Sequence, residues 1–308
     1  MLDVFSITLP IFLLIGLGFA STRFGATSAA DIRALGGFVI RFAMPALIFK
    51  SLAERRFAEI ANADYLLVYA SGSLVAYLLM FALARALKPG DRAAQAFQAL
   101  GSAAPNSGFV GFPIALIAVG PPASLALSLS MIPENLLIIP LALTLAESAR
   151  HRGKSVASIV AALAASLARN PLILAIALGA VASLAGLRLP SPLARSVDML
   201  AMASGGVALF AVGGALVGLK GERLAADVPR IVAGKLILHP MAIFAVALLF
   251  PGLDPALRKS MLIFASAPML SIYPLLGRAY GFEPLAAASL LAATALSFLS
   301  LSTALIVM

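Results

Sequence analysis

The sequence predicts an all-α integral membrane protein of ten transmembrane helices, built as two five-helix halves that enter the membrane with opposite orientation. Three observations carry this. Apolar residues make up 62% of the 308 and charged residues only 11%, with a mean hydropathy of +1.04, and the apolar runs recur from end to end. Stretches such as FSITLPIFLLIGLGFAST and YLLVYASGSLVAYLLMFALA are apolar all round, which suits lipid rather than an amphipathic soluble bundle. Two spans at corresponding places in the two halves are interrupted by a pair of prolines, residues that remove a helix donor and clash with the preceding turn.

The spans lie at about 4–22, 31–53, 63–87, 92–119, 122–149, 170–187, 192–219, 229–249, 255–280 and 283–306. The first opens on MLDVFSITLP, without the basic segment of a cleavable signal, and is expected to be retained. The second carries Arg41 and Lys50, read as interfacial side chains whose stems lie along the bilayer edge. The third is continuous. The fourth, GSAAPNSGFVGFPIALIAVG, is expected to break at Pro105 and Pro113. The fifth holds Glu134 in MIPENLLIIP, roughly 18 Å along a helix at 1.5 Å per residue. Between the fifth and sixth, ESARHRGKSVASIVAALAASLARNP reads as a basic turn and an amphipathic surface helix, a connector over 150–169 between halves 1–149 and 170–308. The eighth span contains KLILHP, which sets Lys235 and His239 on one face. Together they could attract an anion or relay a proton, and for Lys235, near the predicted end, snorkelling is the alternative. The ninth, SAPMLSIYPLLGRAYG, repeats the break with Pro268 and Pro274. Small-residue runs, GLG at 16–18, GGF at 36–38 and GGALVG at 213–218, are expected to bring helices into close contact.

An offset of 163 residues lays Asp64 on Asp227, the third span on the eighth and the fourth on the ninth, and PALIF (45–49) echoes VALFA (207–211) at nearly the same shift. Because five is odd, such a repeat is inverted. The loops after odd-numbered spans hold thirteen Lys and Arg against six on the other face. The positive-inside rule therefore puts the connector in the cytoplasm and both termini outside. The net charge of +9 resides largely in these loops, so nucleic acid is not an expected partner. There is no cysteine, there are two histidines, and no HExxH, Walker or GxGxxG pattern occurs. With no catalytic constellation within the spans, neither an enzyme nor a metal or cofactor site is expected.

Unpaired backbone groups are tolerated in a membrane only beside protein or a water-filled cavity, so two symmetric breaks are expected to meet near the midplane and form a polar site. The half-helices starting there offer amides and a positive dipole end to an anion such as a carboxylate. The expected donors are Asn106, Ser107 and Gly108 after Pro105, and Leu270, Ser271 and Ile272, with Tyr273, after Pro268. Carbonyls at Ala104 and Ala267 suit a cation or water. Asn135 points about 100° away from Glu134 and is expected to make a different contact. Glu134, His239 and Lys235 are candidate ion-coupling groups, since ionisable residues within spans are functional by default.

LPIFLLIGLGFASTRFG (9–25), FVIRFAMPALIFKSLA (38–53), PNSGFVGFPIALIAVG (105–120) and FAVGGALVGL (210–219) resemble the auxin efflux carrier family in its bacterial branch, and the resemblance runs along essentially the whole chain. It implies a 5 + 5 inverted-repeat carrier with crossed fourth and ninth spans, similar in fold to sodium/proton antiporters and bile-acid symporters. It also implies transport of organic anions, auxin in plants and malonate or malate in bacteria, and a bacterial inner-membrane location. The family's site asparagine maps onto Asn106. Relatives often carry a second asparagine after the first proline of the ninth span, where this chain has Ser271 and Tyr273 in PMLSIYP, which argues against an aromatic, auxin-like ligand. By the same resemblance the first, second, sixth and seventh spans form a scaffold, whose outer surface would support a homodimer, and the others a moving core. The alternatives are a sodium-coupled symporter or cation/proton antiporter of this fold, and a membrane receptor without transport.

Overall fold

The computed structural model describes residues 2–150, 165, 168–218, 227–278 and 280–307. Its helices are α1 Leu2–Arg23, α2 Ala29–Ala53, α3 Ala63–Leu87, α4 Arg92–Ala103, α5 Ser107–Val119, α6 Pro122–Ala149, α7 Pro171–Leu184, α8 Ser191–Ala215, α9 Asp227–Ala247, α10 Pro255–Ser266, α11 Tyr273–Arg278 and α12 Glu283–Val307. Six helices are long and apolar enough to cross a membrane: α2, the stretch Phe57–Leu87 that contains α3, α6, α8, α9 and α12. The protein is all-helical among the described residues, save for one isolated bridge between extended residues. The expected amphipathic connector helix lies almost wholly outside the described residues.

The prolines act in two different ways. Four helices widen by one residue into a π turn, at Val39–Ala43, Ser107–Gly111, Glu134–Ile138 and Gly234–Leu238. Each π turn ends two residues before a proline: Pro45, Pro113, Pro140 and Pro240. A proline ring collides with the carbonyl four residues back, and the wider turn moves that carbonyl aside without ending the helix. Pro113 therefore does not break the fourth span as expected. The true interruptions fall at Pro105, between α4 and α5, and at Pro268, between α10 and α11. Pro274, expected to break the ninth span, instead sits at the second position of α11, where its missing N–H costs nothing.

Helices α1, α2, α7 and α8 pack against one another through glycine. A Cβ on Gly18 would collide with the Phe210 carbonyl, and one on Gly213 with the Ile15 carbonyl, so α1 and α8 touch backbone to backbone. Gly179 of α7 sits against Phe49 and Leu52 of α2, and Gly214 of α8 against Ile32. The GLG and GGALVG runs thus make the close contacts expected of them. Gly36 and Gly37 in GGF meet nothing within contact distance among the described residues. In the other group, Gly72 of α3 seats Ile243 of α9.

Candidate functional site: the crossing of two broken helices

The two interruptions satisfy each other. Asn106 donates its backbone N–H to the Pro268 carbonyl at 2.7 Å, and Leu270 donates to the Ala104 carbonyl at 3.1 Å, forming an antiparallel bridge between Pro105 and Met269. In an apolar interior each orphaned amide or carbonyl costs several kcal/mol, roughly, so this reciprocal pair is what permits two chains to unwind there. It also consumes two of the expected donors. The backbone amides of Asn106 and Leu270 face the opposite strand, which leaves Ser107 and Gly108 on one side, and Ser271 and Ile272 on the other, for a ligand.

Asn106 holds the start of α5. Its Oδ1 accepts from Phe109 N at 3.2 Å, as a capping side chain does, and its Nδ2 donates to Ser271 Oγ at 2.6 Å. One side chain thus fixes both interruptions, and the Ser271 hydroxyl hydrogen is free to point toward a ligand. Around them lies a cavity of about 800 Å³, lined by Pro105, Asn106, Ser107, Gly108, Leu270, Ser271 and Ile272, with Glu134 and Asn135 from α6. Despite their different headings on the helix, both α6 residues reach it. Asn135 donates to the Met131 carbonyl at 2.9 Å, which turns its Oδ1 outward.

Glu134 is buried, and its Oε1 accepts from Tyr69 Oη at 2.7 Å and from Ser107 Oγ at 2.5 Å. The carboxyl is therefore tied both to α3 and to the first turn of α5. Below it, Tyr65 stacks on Tyr69, one helical turn away, and bonds Ser130 Oγ at 2.7 Å.

Lys235 does not snorkel. Its side chain is fully buried, donating to the Ala265 carbonyl at 2.6 Å and to His239 Nδ1 at 2.9 Å. With Lys235 charged, its ammonium has no lone pair to accept with, Nδ1 is the acceptor and the ring proton sits on Nε2, 3.0 Å from Ser73 Oγ. Lys235 thereby neutralises the negative end of α10. The adjacent Ser266 carbonyl accepts from Ser300 Oγ at 2.7 Å. Of the two carbonyls foreseen as cation ligands, that of Ala104 is engaged by Leu270, while Lys235 and Ser300 engage the Ala265 and Ser266 carbonyls just before Ala267.

Two expected site residues face elsewhere. Tyr273 is buried with its ring stacked on Phe97 at 4.4 Å between centroids, and its hydroxyl donates to the Phe97 carbonyl at 2.9 Å. Its ring therefore belongs to the packing of α11 on α4. Pro268 contributes its carbonyl to Asn106 rather than a surface to the cavity. Arg41 is exposed, and Lys50 pairs with Asp198 at 2.6 Å. Three contributors were missed: Tyr69, whose signal was the i, i+4 tyrosine pair in an apolar span, and Arg169 and Asn170, which line the cavity from the end of the connector. The sequence reading counted Arg169 only as a loop charge.

A second cavity, about 1090 Å³, lies in series with the first along the same helices. On α2 the crossing cavity ends at Met44 and the second begins at Leu47; on α5 the boundary falls between Phe109 and Phe112. Three residues of helix are roughly 5 Å, so about one turn of side chains separates the two. The second cavity is lined by Arg55, Arg56 and Arg188, and the first by Arg169 and Asn170, so the two lie toward opposite ends of α2 and α5.

Comparison with known proteins identifies a transport family. The family described as "Membrane transport protein" matches residues 3–306. A protein of Rhizobium meliloti (strain 1021), named "Putative malonate transporter", is 30% identical over 298 residues, 96% of this chain and 93% of that protein. The "Uncharacterized transporter YfdV" of Escherichia coli (strain K12) is 30% identical over 245 residues, 78% of this chain and 77% of its own length. The chain belongs to the membrane transport protein family of auxin efflux carriers, and is a multi-pass transport protein rather than an enzyme.

Proposed function

We propose that the protein is a secondary carrier of small organic anions, mono- or dicarboxylates such as malonate, that binds its substrate at the crossing and alternates access between the two cavities. The observation that carries this is the crossing itself: free amides at Ser107 and Gly108, Asn106 bridged to Ser271, and a cavity reaching them from one face while another stops about one turn short on the other. A helix start with open amides favours a carboxylate, and the Rhizobium meliloti relative's name points to the same chemistry.

The same reading makes the six long helices, α1, α7 and the two interrupted pairs α4–α5 and α10–α11 ten spans in an inverted repeat, with halves 1–149 and 170–308 joined by 150–169. The offset of 163 supports it: Asp91 and Asp254 are both side-chain caps, and each begins a helix of 12 residues followed by a proline interruption. The glycine-packed α1, α2, α7 and α8 form the scaffold, on which a homodimer would assemble, and the rest moves against it. Both termini lie in the periplasm and the chain in the bacterial inner membrane.

Coupling is to protons, through Glu134 and with His239 and Lys235 setting the charge behind it. An anion entering the cavity repels an ionised Glu134, so proton and anion favour each other's binding. Sodium coupling is the less supported reading, because the Ala104 carbonyl it would use is already engaged by Leu270 and the Lys235 amine stands at the end of α10, donating to the Ala265 carbonyl. The test is uptake of labelled malonate into proteoliposomes with and without an inward proton gradient, beside Asn106→Ala. Saturable uptake that the variant loses is the expected result. Unchanged uptake in the variant removes the crossing as the site, and saturable uptake driven by sodium alone reverses the coupling.

A further inference from the structure

We infer that Arg169 is the specificity-determining residue that binds the second carboxylate of a dicarboxylate substrate; this rests on the carrier reading above and names which of its substrates the site is built for.

The inference follows from the charge inventory of the cavity. Arg169 is its one cationic lining residue among the described residues, and no carboxylate pairs with it there. The acidic group in the same cavity, Glu134, is satisfied by Tyr69 and Ser107 instead. Arg169 is an exposed residue that lines the cavity without an acidic partner among the described residues, while the Glu134 carboxylate is held by hydroxyls.

The position is built rather than accidental. Arg169 precedes Asn170, whose Oδ1 caps α7 at Leu172 N, 2.9 Å away, and Pro171 opens that helix. Asn170 Nδ2 reaches toward Asn135 Oδ1 at 3.5 Å, which sets the end of the connector beside α6 at the cavity wall. The backbone at Arg169 is therefore anchored on both α6 and α7.

The crossing supplies neutral donors and a partial dipole charge, enough for one carboxylate. A monocarboxylate is satisfied there and leaves Arg169 idle. A dicarboxylate brings a second full charge, and a planar guanidinium binds that group through two parallel N–H bonds. The remaining alternative for Arg169, a snorkelling interfacial side chain, predicts no effect on which anion is chosen.

The experiment compares unlabelled malonate with its monomethyl ester as competitors of labelled malonate uptake, in proteoliposomes holding the wild-type protein, Arg169→Gln or Arg169→Lys. The ester keeps the skeleton and removes one charge. Wild type is expected to prefer malonate by about 30-fold, the range of a hydrogen bond to a charged group. Arg169→Gln should bring the ratio to about 1 by weakening malonate alone, and Arg169→Lys should restore part of it. Labelled monomethyl malonate, followed directly, keeps the glutamine variant readable if malonate uptake becomes too weak. A ratio unchanged in Arg169→Gln overturns the role of Arg169 while leaving the carrier intact. Failure of wild type to take up either anion overturns the carrier reading itself, and this inference with it.

Discussion

Replacing Glu134 with Gln separates the proton from the shape of the site. The carboxyl Oε1 accepts two hydrogen bonds, from Tyr69 and Ser107, and the amide oxygen of Gln offers the same acceptor in nearly the same place. What changes is that two bonds to a potentially charged oxygen become bonds to a neutral one. At about 1 kcal/mol each that is roughly 2 kcal/mol of local stabilisation at most, and less if the wild-type group is protonated when Ser107 donates to it. The folded protein and the crossing should therefore survive. Transport should not remain coupled. With the membrane potential clamped at zero, one proton per substrate and an inward gradient of one pH unit, wild type accumulates malonate about tenfold, equivalent to about 1.4 kcal/mol. Glu134→Gln should equilibrate malonate to about onefold while still exchanging labelled for unlabelled substrate across the membrane. The assay is accumulation at a fixed gradient, with counterflow measured on the same vesicles. Tenfold accumulation in the variant would show that the proton travels by another group and refute the reasoning.

The other predictions concern packing and the two residues whose positions the structure corrects. Gly213→Ala should cost about 1–3 kcal/mol by forcing α1 and α8 apart, seen as a lower unfolding temperature in detergent, whereas Gly36→Ala, in open space, should be close to neutral. Tyr273→Phe should cost about 1 kcal/mol through the lost bond to the Phe97 carbonyl, with the KM for malonate unchanged; a large change in KM would return Tyr273 to the binding site. Lys235→Met leaves the end of α10 and His239 Nδ1 without a partner but also removes a buried charge, two effects of similar size. Its unfolding temperature should therefore move little while uptake falls at least about tenfold, and retained uptake would make Lys235 purely structural.

Much of the fold was legible because lipid imposes a simple rule: apolar length marks a span, and glycine marks a contact. The position of the interruptions was half legible. Among the prolines in the spans, Pro45, Pro113, Pro140 and Pro240 are absorbed by π turns, while Pro105 and Pro268 break the chain. The difference lies outside the helix that carries each proline. A break survives only where another segment supplies bonding partners, and only Pro105 and Pro268 lie opposite each other. For the same reason Asn106, Ser107, Gly108 and Ser271 were identifiable from their place after a proline, whereas the loss of the Leu270 amide to Ala104 was not. Lys235 was misplaced because its depth was counted from a predicted helix end, and its acceptor, the Ala265 carbonyl, belongs to a distant segment. Arg169 was hidden by the rule that sorts loop charges by face, which ignores where a loop ends.

The proposed internal repeat is also informative where it fails. The offset of 163 carries Asp91 onto Asp254 and Pro105 onto Pro268, so cap and interruption are kept in both halves. It carries Asn106 onto Met269, Ser107 onto Leu270 and Gly108 onto Ser271, so the ligand-facing chemistry is kept on one side only. The elements preserved are those needed to unwind two helices against each other; the elements that differ are those a ligand would touch. If two equal polar halves faced the cavity, a symmetric ligand would be held equally by both, with no preferred attachment to either. With Asn106 and the Ser107–Glu134 pair on the first half, and chiefly the Ser271 hydroxyl on the second, a bound anion would be attached mainly to α5 and α6. Under the proposed mechanism the substrate therefore travels with the first half of the core. Substitutions at Ser107 should accordingly raise the KM for malonate more than Ser271→Ala does, and equal effects at the two positions would mean that the asymmetry of sequence is not an asymmetry of binding.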